Sequence, residues 1–233
     1  MNKESLFKAF EEYEISCDQS QLDLLFALMK YTLEANEKFN LTAITDEEVF
    51  AEKMIFDSAL MLHDFDLENG SYIDIGTGAG FPGMVVRILS KDAKVTLLDS
   101  TKKKIDYLND FAKKHNLKVT GVSERAEDFA RNNREKYDFA SARAVSALPI
   151  LLEITIPLLK VGGTFIALKG ADYEAEIYTS QNAFKKLGCH IEHIYKVTLP
   201  ESQEKRAIIY IKKDKETNKK YPRQYNEIKR QTL

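Results

Sequence analysis

Apolar residues recur at helical spacing through the first third of the chain and at strand spacing after it. Over 3–15, Leu6, Phe7 and Phe10 share one face. Over 20–39, Leu22, Leu25, Phe26, Met29 and Leu33 recur at helical intervals, so two amphipathic helices are predicted, with both stripes read as core. Asn40-Leu41-Thr42-Ala43-Ile44 interrupts the period. A third helix is predicted from Thr45 to about His63, with Thr45 as cap and Glu48 completing a capping box. It carries Val49, Phe50, Met54, Ile55 and Leu60 toward a core.

From Ser71 strands and helices alternate, the signature of a parallel sheet with crossovers. Strands are predicted at 71–75, 95–99, 118–122, 137–142 and 163–168, with helices at 82–90, 101–115, 126–134 and 148–160 between them. Two further strands, 189–198 and 205–211, have no helix between them and should pair as an antiparallel hairpin at a sheet edge. Five parallel strands and a hairpin differ from a dinucleotide dehydrogenase, which continues to a sixth parallel strand. The expected organisation is a helical N-terminal region over 1–65, an α/β domain over 66–212 with a mostly parallel seven-stranded sheet, and a tail over 213–233.

The first strand ends in Gly76, Gly78 and Gly80, within Tyr72-Ile73-Asp74-Ile75-Gly76-Thr77-Gly78-Ala79-Gly80-Phe81-Pro82-Gly83. Glycines so placed let the backbone turn tightly and approach a ligand closely. Pro82 suits the first helical position, where its missing N–H is no loss. A tight strand-to-helix connection without a ligand would use the same residues.

Composition narrows the setting. Of 233 residues, 44% are hydrophobic and 30% charged, as in an ordinary soluble globular protein. A net charge of −2 does not announce a nucleic-acid binder, so any basic surface must be local. The tail supplies one: Lys212, Lys213, Lys215, Lys219, Lys220, Arg223, Lys229 and Arg230 outnumber Asp214, Glu216 and Glu227, with Tyr221 and Tyr225 interleaved. Such a tail is either a solvated end or a segment that stacks on RNA and contacts its phosphates. Only two cysteines, Cys17 and Cys189, argue for a reducing compartment. With no signal peptide and no apolar run near the roughly 20 residues of a membrane span, a cytoplasmic protein is expected.

Two details favour S-adenosylmethionine over a nicotinamide at the glycine turn. Phe81 stands where a dinucleotide fingerprint has its third glycine. Asp74 would repel a pyrophosphate but attract the amino group and sulfonium of adenosylmethionine. Asp99, at the end of the second strand, fits the acceptor for ribose hydroxyls; as a helix cap it would need no ligand. Arg125-Ala126-Glu127 follows the third strand, where an adenine would rest, and Ser141-Ala142-Arg143-Ala144-Val145 spans the end of the fourth. Cys189, His190 and His193 suggest no metal site, because His190 faces away from the other two on a strand and a structural zinc wants four ligands.

Taken in order, these segments resemble the RsmG (GidB) methyltransferases. The resemblance covers nearly the whole chain and rests on Asn40-Leu41-Thr42, Asp57-Ser58, the glycine turn from Asp74 to Gly83, Leu98-Asp99-Ser100, Arg125-Ala126-Glu127, Ala142-Arg143-Ala144, Pro157-Leu158-Leu159, Leu168-Lys169-Gly170 and Tyr221-Pro222-Arg223. It implies a Rossmann-like class I methyltransferase that methylates N7 of a guanine in bacterial 16S ribosomal RNA, with the RNA or the small subunit as partner. It further implies cofactor contacts at Gly76, Phe81, Ala126, Glu127 and Arg143, to which the reading of the turn and second strand adds Asp74, Gly78 and Asp99. Met54 replaces the family's usual histidine, Lys104 a more usual arginine, and Ile228 and Thr232 stand where the family has prolines.

Guanine N7 has a free lone pair and no proton, so catalysis should come from alignment, without a general base. Arg143 and Lys169 follow the ends of strands beside the cofactor crevice and are the candidate substrate-positioning residues; ion pairs with Glu127 or Asp57 are the alternative for them. A monomer is expected. Two other functions fit the same residues: a methyltransferase acting on transfer RNA, protein or a small molecule, and a ribosome-assembly factor that binds RNA without catalysis.

Overall fold

A computed structural model describes residues 1–63, 66, 67 and 69–233. The chain opens with α1 (Lys3–Glu12) and α2 (Gln19–Asn36). Asp18 begins α2 with a capping box, its carboxylate accepting from Gln21 N while the Gln21 side chain accepts from Asp18 N. The third helical stretch is less regular than its sequence predicts. It runs as α3 (Glu47–Phe50), a π-helical turn (Ala51–Phe56), α4 (Asp57–Ala59) and a 3-10 turn (Leu60–Leu62). Its cap is Asp46, which accepts from Val49 N at 2.9 Å, and not Thr45. The shorter aspartate side chain, one residue later, is the one that reaches the free N–H. Val49 is consequently exposed, whereas Phe50, Ile55 and Leu60 are buried.

The strands are β1 (Ser71–Ile75), β2 (Lys94–Asp99), β3 (Val119–Ser123), β4 (Tyr137–Arg143), β5 (Leu159–Lys169), β6 (Cys189–Thr198) and β7 (Lys205–Lys213). Their order in the sheet is β3-β2-β1-β4-β5-β7-β6. The first five are parallel, and β7 lies antiparallel between β5 and the edge strand β6, as the hairpin expectation requires. The crossovers are α5 (Gly83–Leu89), α6 (Lys102–Lys114), α7 (Ala126–Asn132) and α8 (Leu148–Thr155). Two helices that the sequence reading did not predict, α9 (Tyr173–Thr179) and α10 (Gln181–Leu187), join β5 to β6.

Alternation along the strands produces two cores. Tyr72, Leu97, Ile166 and Ile208 pack with α1, α2, α5 and α6 on one face. Ile73, Ile75, Phe165 and Ile209 pack with α7, α8 and α10 on the other. Burial on both faces is what a parallel sheet covered by crossovers demands. The chain leaves β1 toward β2 and β3, then returns to place β4 on β1's other side. That reversal opens a crevice beyond the carboxyl ends of β1 and β4.

The tail is packed onto the domain and is not a solvated end. It carries α11 (Tyr225–Arg230), and Tyr221, Ile228 and Leu233 are buried in the second core. Arg223 donates from N and Nε to Glu153 Oε1 (2.9 and 2.8 Å) and from Nη2 to Oε2 (2.6 Å), where Glu153 on α8 is fully buried. Lys213, counted above in the basic surplus, is buried against Glu135 and Leu159 O.

Candidate active site

The crevice holds two adjoining cavities. The first, about 470 Å³, is walled by Gly76, Gly78, Phe81, Asp99, Lys104, Arg125, Ala126, Glu127, Arg143 and Tyr225, among others. Its size is that of a small-molecule site. The second, about 800 Å³, is walled by Ile44, Lys53, Asp57, Lys169, Glu176 and Arg206. Met54 and Arg143 through Ser146 line both.

Gly76, Gly78 and Gly80 have φ of +68°, +58° and +98°, the left-handed region that glycine enters without strain. A Cβ on Gly76 would come within 2.5 Å of Val145 Cγ2, so the turn also needs Gly76 for space. A Cβ on Gly83 would lie 2.4 Å from Leu97 Cδ2 and 2.9 Å from Asp74 Cβ. Gly83 therefore lets α5 sit tight on the sheet, the packing task that the third glycine of a dinucleotide fingerprint performs.

Asp74 is placed differently from its expected role beside the ligand. It is fully buried below the turn and does not line the cavity. Its Oδ2 accepts from Gly83 N at 2.9 Å and its Oδ1 from Ser141 Oγ at 2.8 Å, and Ser141 in turn bonds Tyr72 OH at 2.6 Å. Burial pushes the carboxyl up to about 6, against the pull of its hydrogen bonds and Arg143. Strand alternation explains the position: Asp74 shares the α5 face with Tyr72, so it anchors the helix start beneath the cavity.

Asp99 does face the cavity. Its Oδ2 accepts from Gly78 N (3.1 Å) and its Oδ1 from Thr101 N (2.8 Å), so it both braces the glycine turn and starts α6. Each oxygen retains a lone pair, as an acceptor for ribose hydroxyls requires. The ligand-binding and capping readings of Asp99 thus coexist. Glu127 is buried and bonded by Arg125 Nε at 3.0 Å. The acids Asp99 and Glu127 offset Lys104 and Arg125, so the wall has no basic surplus for a pyrophosphate.

Arg143 stands at the junction of the two cavities. Nη1 donates to Lys53 O at 2.9 Å, Nη2 lies 3.1 Å from Met54 Sδ, and Nη1 is 3.8 Å from Asp57 Oδ2. Asp57 is held more closely by Arg206 Nε, at 3.0 Å. Burial pushes the Asp57 carboxyl up and the Arg143 guanidinium down, with the two opposite charges resisting in each case. The next residue, Ala144, has φ +54°, a left-handed backbone at a non-glycine residue where the two cavities meet. Lys169 lies in the second cavity, its Nζ bonded to Glu176 Oε2 at 2.7 Å and Ser146 O at 3.0 Å. An ion pair with Asp57 was one alternative for these residues, and Arg143 makes it; the Lys169 partner is Glu176, from a helix that was not foreseen.

Sequence reasoning did not find the site roles of Gly83, Ser141, Glu176, Arg206 or Tyr225. Gly83 was within the quoted turn, and its spacing after Asp74 was the available signal. Tyr225 was read toward RNA, yet it lines the first cavity with its ring 4.3 Å from the Arg125 guanidinium.

The sheet order, the antiparallel edge hairpin and a glycine cradle flanked by Asp99 define a Rossmann-like class I S-adenosylmethionine-dependent methyltransferase. The family described as rRNA small subunit methyltransferase G, GidB, matches residues 21–214. The chain belongs to that family. Curated relatives agree: ribosomal RNA small subunit methyltransferase G of Caldicellulosiruptor bescii is 44% identical over 99% of this chain and 100% of its own length. That of Oceanobacillus iheyensis is 40% identical over 96% and 95%. Among solved structures, M. jannaschii TYW2 in complex with AdoMet aligns with TM-score 0.52 at 16% identity, covering 64% of this chain and 71% of that one. A putative methyltransferase from Thermoplasma acidophilum aligns with TM-score 0.51 at 12% identity over 65% and 71%. At such identities the structures speak for the fold.

Proposed function

We propose that the chain transfers the methyl group of S-adenosylmethionine to N7 of a guanine in 16S ribosomal RNA, acting as a cytoplasmic monomer. One observation carries the reading: a small-molecule cavity over the glycine turn opens into a second cavity through Arg143, Ala144, Val145 and Ser146. A cofactor in the first and a base in the second would meet at that boundary. The cofactor supplies an electrophilic methyl on a sulfonium; the N7–carbon bond forms as the carbon–sulfur bond breaks, and the positive charge passes to the base. No proton moves, so the chain's task is alignment.

Gly76, Gly78 and Phe81 would support the amino-acid part of the cofactor, Asp99 the ribose, and Ala126 and Glu127 the adenine. Asp74 acts indirectly, by holding Gly83 and Ser141. Arg143, fixed by Lys53, Met54 and Asp57, sets the boundary that the reacting groups share. Lys169 presents its ammonium to the second cavity, where a guanine O6 or a flanking phosphate would lie. No helix among the described residues is long and apolar enough to cross a membrane, in keeping with a protein that works on ribosomal RNA.

The test offers labelled S-adenosylmethionine with small ribosomal subunits, naked ribosomal RNA, transfer RNA and protein. Label at guanine N7 of 16S RNA is the expected product. Label on transfer RNA or protein alone would overturn the substrate assignment, and RNA binding without label would overturn the enzymatic one.

A further inference from the structure

The C-terminal tail reaches the cofactor cavity, and its anchoring shows that it is built to do so. Tyr225, the first residue of α11, lines the first cavity together with Arg125, Ala126, Glu127, Ile150 and Ile154. Its ring packs 4.3 Å from the Arg125 guanidinium, which Glu127 holds in turn through a 3.0 Å hydrogen bond. Ile150 and Ile154 belong to α8, the helix that carries Glu153. The three hydrogen bonds from Arg223 to fully buried Glu153 thus tie the tail to the helix that walls the cavity, two residues before Tyr225. Ile228, fully buried, and Tyr221, at 4% exposure, fix the tail on either side of that point.

We propose that Tyr225 is a cofactor-binding residue: its ring covers the adenine end of the first cavity, so that seating of the tail and binding of the adenosyl group are linked. The inference rests on the reading of that cavity as the S-adenosylmethionine site. The walls that Tyr225 joins are those beyond β3, the place where this fold receives the adenine. An aromatic ring against a base is worth about 1–3 kcal/mol. Stacking on RNA is the competing use of the same ring, but one side of it is taken by Arg125 and it borders an enclosed site. Tyr221, the other aromatic of the tail, is withdrawn into the core. Linkage is reciprocal, so a ligand that Tyr225 helps to hold must also hold the tail in place.

The experiment measures S-adenosylhomocysteine binding by titration calorimetry to the wild-type chain, Tyr225→Ala and Tyr225→Phe, with no methyl acceptor present. The expected result is about tenfold weaker binding for Tyr225→Ala and near wild-type binding for Tyr225→Phe. A second measurement follows trypsin cleavage at Lys229 and Arg230, both exposed. S-adenosylhomocysteine should slow cleavage of the wild-type tail, and saturating ligand should slow it less in Tyr225→Ala. Wild-type affinity in Tyr225→Ala, or a tail cleaved equally with and without ligand in the wild type, overturns the proposal. If the wild-type chain binds no S-adenosylhomocysteine, the cofactor reading itself falls and the tail's role with it. Tyr225→Phe keeps the ring and the packing of α11, so loss of binding in that variant, with the fold intact by circular dichroism, also counts against stacking.

Discussion

Arg143 Nη1 lies 3.8 Å from Asp57 Oδ2, and both residues are largely buried at the meeting point of the two cavities. Arg206 bonds the same carboxylate oxygen at 3.0 Å, so one buried acid balances two guanidinium groups. Removing Asp57 leaves both cations without it in a site that water reaches poorly. Asp57→Ala should therefore destabilise the fold by about 3–5 kcal/mol, read as a lower midpoint in urea unfolding. An unchanged midpoint would mean that the pair is solvated in the working molecule.

Asp74 gives a pH signature. Its folded-state carboxyl is raised to about 6 from an ordinary 3.8. A raised carboxyl favours the protonated folded state, so the folded form loses stability relative to the unfolded chain as pH climbs from about 4 through 6. The shift of about two units corresponds to roughly 3 kcal/mol at most. Asp74→Asn lacks this titration. The difference in unfolding free energy between wild type and variant should change across that window, with the wild type losing ground as pH rises, and stay flat above about pH 7.5.

Gly83→Ala sets helix propensity against packing. Propensity favours alanine by about 1 kcal/mol at most. The new methyl would stand 2.4 Å from Leu97 Cδ2 and 2.9 Å from Asp74 Oδ2, which forces α5 off the sheet. Overpacking of this kind costs about 1–3 kcal/mol, so the net effect should be a lower melting temperature. Weaker S-adenosylhomocysteine binding should accompany it, because Gly83 N anchors Asp74 under the turn.

Lys169 and Arg143 should separate binding from turnover. Lys169→Ala leaves Glu176 still accepting from Leu148 N at 2.6 Å, so the local fold survives. The expected loss is about tenfold in kcat/KM for the RNA substrate, with S-adenosylhomocysteine affinity unchanged. Arg143→Ala, at the boundary, should lower both. Turnover unaffected in both variants removes the pair from the site.

Strand positions were legible because period-two burial is written locally: β1 and β6 match their predicted spans, and the others lie within a few residues. The glycine turn was legible for the same reason, since each glycine answers a local backbone demand. What escaped the sequence reading was set at long range. Arg223 finds Glu153 across 70 positions and Arg206 finds Asp57 across 149. No periodicity records such pairings, so the tail looked solvated and Arg206 looked ordinary. The helices over 173–187 escaped because tyrosines, glutamates and a serine–glutamine break blur their apolar stripe. In β6 a bulge between Ile191 and His193 also breaks the simple alternation used to orient Cys189, His190 and His193.

The π-helical turn at Ala51–Phe56 bears on how the chain tolerates insertions and deletions. Such a turn holds roughly one more residue than regular helix would. Deleting one residue there would restore ordinary hydrogen bonding, yet rotate everything that follows by about 100° about the axis. Asp57 would swing away from Arg143 and Arg206, and Ser58 would leave its bond to Met54 O. The phase of this helix is thus a functional quantity: a shorter, more regular version would fold its own turn better and mis-set the wall between the two cavities.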